Sequence, residues 1–258
     1  MGLKRKVFAA TASLLLASGV QAQSQQVAAQ AASQPAATAG GSLGSPMAFG
    51  PAWRTGGVGV SGMTVDAPDQ DVDGSLGLST GFGNADKYAG LAVSIGTASL
   101  TKKNGDSFGE AGSMGFQLFK TLPGNAAMAV GVTGAAAWGS KSFKDSNSSS
   151  VYVVATTVQS VYGHALTVNV GMGNKQFQAL NDDGSVKDGV SPFGSLAFYV
   201  VPQFSVIADY TGRFTNLGVS YAPFKRLPVS VSLGAFNVGE RYGVDTQLMG
   251  SLGMGFQF

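Results

Sequence analysis

The sequence has no cysteine and a single histidine. No disulfide framework can staple this fold, and no cysteine-ligated metal centre can sit in it. A zinc site would have to recruit three carboxylates beside the one imidazole. Charge is scarce as well: 12% of residues are charged, against about 25% in an ordinary soluble domain. The net charge is +2, and no basic cluster follows the first six residues, so there is no electrostatic footprint for nucleic acid. After residue 22 no 18 consecutive apolar residues occur, which excludes a membrane-spanning helix.

What is present divides into three parts. Lys4-Arg5-Lys6, the apolar run Val7 to Ala17 and the small residues Val20-Gln21-Ala22 have the three-part form of a secretory signal peptide over 1–22, and predict export with cleavage after Ala22. Residues 23–46 are almost all Gln, Ala, Ser, Gly and Thr. Such a segment buries too little apolar surface to offset its ordering entropy, and is expected to be a mobile linker with no fold of its own. Residues 47–258 form the third part. They hold most of the 38 glycines and are enough for one domain or one barrel.

Across this third part, apolar residues alternate with Gly, Ser, Ala and Thr in about twelve runs. Leu76, Leu78 and Phe82 oppose Ser75, Gly77, Ser79 and Gly81; Leu166, Val168, Val170 and Met172 oppose Thr167, Asn169, Gly171 and Gly173. A period of two is the mark of strands with two unlike faces. The run at 149–162 is apolar on both faces and leaves its register open. Runs of about 9–14 residues are near the length a tilted strand needs to cross a bilayer. Short turns near Asn84-Ala85-Asp86, Pro123-Gly124-Asn125, Gly163-His164, Pro202 and Lys225-Arg226 alternate with longer hydrophilic loops, of which 210–214 is the short exception. The small-residue face carries few charges, unlike a water-facing exterior, so it is assigned to a lumen and the greasy face to lipid. Trp53, Tyr88, Phe119, Trp138, Tyr162, Tyr210, Tyr221 and Phe258 lie near run ends, as interfacial girdles do.

The last run places Leu248, Leu252, Met254, Phe256 and Phe258 on one face and Met249, Ser251, Gly253, Gly255 and Gln257 on the other. A final strand of this kind resembles the assembly signal of Gram-negative outer-membrane β-barrel proteins, with Leu252, Met254, Phe256 and Phe258 as its signal residues. The resemblance implies an all-β, antiparallel up-and-down transmembrane barrel of about 12 strands (10–14) in the cell outer membrane. Its implied partners are outer-membrane lipids and, during biogenesis, the barrel-assembly machinery and periplasmic chaperones, with a monomer as the assembled state. A secreted soluble β-sandwich is the alternative fold.

Site chemistry is sparse. Asp209, Arg213, Gln117, Asn169 and Asn216 are the lumen candidates. Asp209 sits mid-run on the small-residue face and either biases a pore toward cations or pairs with a structural partner, Arg213 by parity or Arg54 from across the barrel. Asp66, Asp69, Asp71 and Asp73 crowd one loop, but they lack the glycine and distal glutamate of a calcium loop and read as solvated. His164 falls in a tight turn at the inner leaflet, where a lipid-modifying enzyme of the outer surface would not need it. No cofactor is expected and no enzymatic activity. The expected function is a narrow passive channel for small, weakly charged solutes, with weak cation preference. Alternatives are a structural or surface-interaction barrel and, with less support, a lipid-modifying enzyme. An inward-folded loop at 180–189 is the expected obstacle if the lumen is blocked.

Overall fold

The computed structural model describes residues 28–33, 35–64, 73–98, 109–181 and 185–258. The signal-peptide residues 1–22 and Asp66, Asp69 and Asp71 lie outside the described residues. Twelve antiparallel strands close into an up-and-down barrel: β1 Thr55–Met63, β2 Asp73–Gly83, β3 Gly90–Ala98, β4 Ala111–Leu122, β5 Ala126–Trp138, β6 Ser150–Val161, β7 His164–Gly173, β8 Ser191–Val201, β9 Phe204–Tyr210, β10 Thr215–Tyr221, β11 Val229–Phe236 and β12 Gln247–Gln257. Closure is made by β1 on β12, in register from Thr55 opposite Gln257 to Met63 opposite Met249. A closed ladder satisfies every strand's backbone groups and leaves no edge.

The two-residue period becomes two faces. On β12, Leu248, Leu252, Met254 and Phe256 are exposed, while Met249, Ser251, Gly253 and Gly255 are buried inside. On β6 the open register resolves: Val151 and Val153 point out, and Tyr152, Val154 and Thr156 point in. An exterior of Leu, Val, Phe and Met is the wrong face to give to water and the right one to give to hydrocarbon. Trp53, Tyr88, Tyr162, Tyr221 and Phe258 stand exposed near strand ends. Phe119 does not join them. It has lumen parity and is buried, in van der Waals range of Gly50 and Gly90.

Short turns lie at one end, which also holds the start of β1 and the end of β12; the longer connections lie at the other, with 211–214 the short one. These are called the terminal end and the loop end below. Two strand pairs depart from plain pairing, β8 with β9 between Tyr199 and Val201 and β4 with β5. Between Met114 and Phe116 on β4 the register with β5 shifts, and Gly134 takes φ +62 opposite the 139–149 connection, where a side chain would collide with the Asn147 carbonyl. That is a bulge that lets β5 bend toward the loop end.

The interior is packed, and not by strands alone. Two apolar clusters pack within the lumen. One joins Ala39 and Leu43 to Ile207, Phe214, Phe236 and Met249; the other joins Ala48 to Phe119, Tyr152, Phe177 and Phe193. Ala39, Leu43 and Ala48 precede the barrel in sequence, so the chain before β1 lies within it. The expectation that residues 23–46 have no fold is corrected for the residues described.

Candidate functional site

The segment before β1 enters at the terminal end. Residues 28–33 form a helical turn and a half against β1 and β12, where side chains at Gly57 and Gly255 would collide with the carbonyls of Ala28 and Ala31. The glycines there are a requirement of close backbone approach. The chain crosses to the β8–β9 turn, where the Ala39 amide donates to the Pro202 carbonyl at 2.9 Å. It then climbs the inner wall. The Gly40 amide donates to Ser220 Oγ at 2.8 Å, Ser205 Oγ donates to the Gly40 carbonyl at 2.6 Å, and Ser195 Oγ donates to the Gly41 carbonyl at 3.0 Å.

The climb ends at Asp209. Its Oδ2 accepts from Ser42 Oγ at 2.7 Å, from the amides of Leu43, Gly44 and Ser45 at 3.2, 3.3 and 3.1 Å, and from Ser45 Oγ at 2.8 Å. Its Oδ1 accepts from Asn216 Nδ2 at 3.4 Å. Successive backbone amides turned to one point make a concave anion nest, here occupied by a wall carboxylate. From this apex the chain crosses past β8 to β7, β6 and β4. Asn169 Nδ2 donates to the Pro46 carbonyl at 2.8 Å, and the Ala48 amide donates to Thr156 Oγ1 at 2.7 Å, whose hydroxyl passes on to Asn169 Oδ1 at 2.7 Å. Gln117 Nε2 reaches the Ala48 carbonyl at 3.5 Å while its Oε1 accepts from Tyr152 at 2.7 Å. Residues 39–51 are thus an irregular loop folded into the lumen, with its backbone hydrogen bonds met by wall side chains rather than by its own secondary structure.

Four of the five lumen candidates therefore serve one purpose: Asp209, Asn169 and Gln117 bind the loop directly, and Asn216 braces Asp209. Arg213 is elsewhere. Its Nε donates to the Gln178 carbonyl and its Nη2 to the Lys175 carbonyl, each at 2.6 Å, tying the 211–214 turn to the β7–β8 connection. Burial pushes its guanidinium down to about 10, with Tyr242 acting against that, so it is charged at neutral pH. The expected Asp209 partners, Arg213 and Arg54, are not its partners: Arg54 sits at the terminal end and donates to the Phe258 carbonyl at 2.7 Å. Asp209 is met instead by neutral donors from residues 42–45. The described residues of the 180–189 segment, 180–181 and 185–189, are not the principal obstacle in the lumen either. Their described ends make a single bridge, Leu180 with Val186, while Phe177, just before them, stacks inward on Phe193 at 4.6 Å.

His164 opens β7 at the terminal end. Its Nδ1 lies 3.0 Å from the Val200 carbonyl and 3.2 Å from that of Tyr199, and its ring rests 5.3 Å from Phe198. The imidazole is thus engaged with two backbone carbonyls and an aromatic ring of β8.

No family model matches the chain, and no characterised protein matches it in sequence. Among solved structures, it is similar to the outer membrane protein Omp33 of Acinetobacter baumannii (TM-score 0.42, 11% identity, 80% of this chain and 98% of that one). It is similar to an outer membrane channel from Pseudomonas putida F1 (TM-score 0.39, 11% identity, 80% and 96%). The N-terminal β-barrel domain of Pseudomonas aeruginosa OprF aligns at TM-score 0.22 and 11% identity, over 80% of this chain and 98% of that one. At these scores the likeness adds nothing to the strand order and register that the chain itself displays.

Proposed function

We propose that this chain is an outer-membrane β-barrel acting as a narrow passive channel for small, weakly charged solutes, and that its own N-terminal segment holds it shut. The single observation behind this reading is the loop at residues 39–51, seated in a lumen of hydroxyls and amides by side-chain hydrogen bonds. Contacts of that kind exchange readily with water, since each contributes only about 1 kcal/mol net. A segment so held can leave and return without unfolding the wall. With it withdrawn, Asp209 and Arg213 both face the lumen, and opposite charges keep ion selectivity weak. The apolar exterior supports a membrane location, and its completeness around a closed ladder supports a monomer. Leu252, Met254, Phe256 and Phe258 then serve as the strand that the assembly machinery recognises.

Planar-bilayer recording tests the reading. The intact chain should show small, intermittent conductance, and a variant lacking residues 28–46 should show larger and steadier conductance. A correctly folded deletion variant that conducts nothing and takes up no solute in swelling assays would leave the structural barrel as the better reading.

A further inference from the structure

The loop does not fill the lumen. A cavity of about 130 Å³ remains beside it, bounded by residues 43–51 and the inner wall, and extending from Ala29 to Met63, Phe236 and Arg213. Its size is near the roughly 150 Å³ of an engineered apolar cavity that takes up benzene. Toward the loop end its lining includes Met63, Phe177, Phe214, Phe236 and Met249, with Gln176, Thr211 and Arg213 among them. Arg213 carries the one full charge among the described lining residues, and no carboxylate lines the cavity with it.

That charge is 7% exposed. Two of its five N–H donors go to the carbonyls of Gln178 and Lys175. Carbonyls supply partial charge but no counter-ion, and a buried charge is disfavoured without one. Its surroundings add donors. The Arg241 guanidinium lies 5.5 Å from the Tyr242 ring and reaches the Arg213 carbonyl at 3.5 Å. The Tyr242 hydroxyl and the Gln178 amide nitrogen are buried with no hydrogen-bond partner among the described residues. Of the described acids on the neighbouring connections, Asp188, Glu240 and Asp245 are exposed, and Asp209 is taken by the loop. Among the described residues that line the cavity, Arg213 therefore brings a positive charge with no carboxylate to meet it.

We infer that the loop-end part of the cavity binds a small organic monoanion, its carboxylate on Arg213 and its apolar body among Phe177, Phe214, Phe236 and Met63. This deepens the channel reading by naming a solute class and rests on it only for that role. Binding is measured in the closed barrel without conductance, so a barrel that never conducts would leave the site standing.

The full chain, folded in lipid nanodiscs, is titrated with 4-fluorobenzoate and with its neutral isostere 4-fluorobenzamide, read by fluorine NMR against empty nanodiscs. The benzoate should bind at least roughly tenfold tighter than the amide, the effect of a hydrogen-bonded charge partner. Arg213→Met should abolish that preference, and Arg213→Lys should keep part of it. Equal binding of the two probes by the intact chain would overturn the site, as would a preference that survives Arg213→Met. Should Arg213→Met fail to fold because its two carbonyl ties are lost, the probe ratio in the intact chain and in Arg213→Lys still decides. Palmitate, the same carboxylate on a chain too long for the cavity, should not displace the benzoate. Displacement by palmitate would overturn a small free anion in favour of a membrane fatty acid.

Discussion

At Asp209 three amides and two hydroxyls converge on one carboxylate oxygen, all from residues 42–45. The position and facing of this residue were legible from its parity in the run Phe204 to Tyr210. Its partner was not, because a nest of neutral amides has no signature beyond small residues in a row. Ser42-Leu43-Gly44-Ser45 is such a row, and its composition is equally that of a linker. Hydrogen bonds to a charged acceptor contribute more than neutral ones. Asp209→Asn keeps the shape, removes the charge and turns an N–H₂ group toward N–H donors. We expect it to loosen residues 40–46 by on the order of 2–3 kcal/mol, seen as faster deuterium exchange in that segment with β9 and β10 unchanged. Unaltered exchange there would show that the carboxylate does not hold the loop.

The strands were the most legible elements, since a two-residue period needs no tertiary knowledge to assign faces. β6 resisted because Tyr152 and Val154 pack inward while Val151 and Val153 lie exposed on the exterior, so both faces are apolar for different reasons. Phe119 misled for a related cause: an aromatic near a strand end reads as girdle, but its odd parity put it inside, under Gly50. Facing on β12 yields a direct test. Leu252→Asp places a carboxylate on the lipid face, where Arg or Lys costs about 2–4 kcal/mol at the bilayer midplane and Asp somewhat less. Folding into lipid vesicles should fall accordingly, while Ser142→Asp, on the exposed 139–149 connection, should leave it unchanged. Equal yields would mean that Leu252 does not face hydrocarbon.

For the whole molecule, wall and loop are complementary in volume. Twelve strands bearing Gly, Ser and Thr inside enclose more space than those side chains fill. The sequence displayed that vacancy, and it displayed a small-residue segment directly before β1. What joined them was not visible, because an irregular loop has no period and its contacts span long separations, Gly40 with Ser220 among them. That same contact offers a lock. A side chain built on Gly40 would have its Cβ 3.5 Å from Ser220 Cβ, within the separation a disulfide takes. The chain contains no other cysteine to compete. Gly40→Cys with Ser220→Cys should therefore cross-link the loop to β10 on oxidation and release it on reduction, leaving the wall intact in both states. If withdrawal of the loop opens the lumen, the oxidised double variant should be silent in a planar bilayer and regain the intermittent conductance of the intact chain when reductant is added. Conductance that persists with the cross-link verified by mass would place the path of ions elsewhere than through movement of residues 39–51, and the residual cavity alone would then have to carry it.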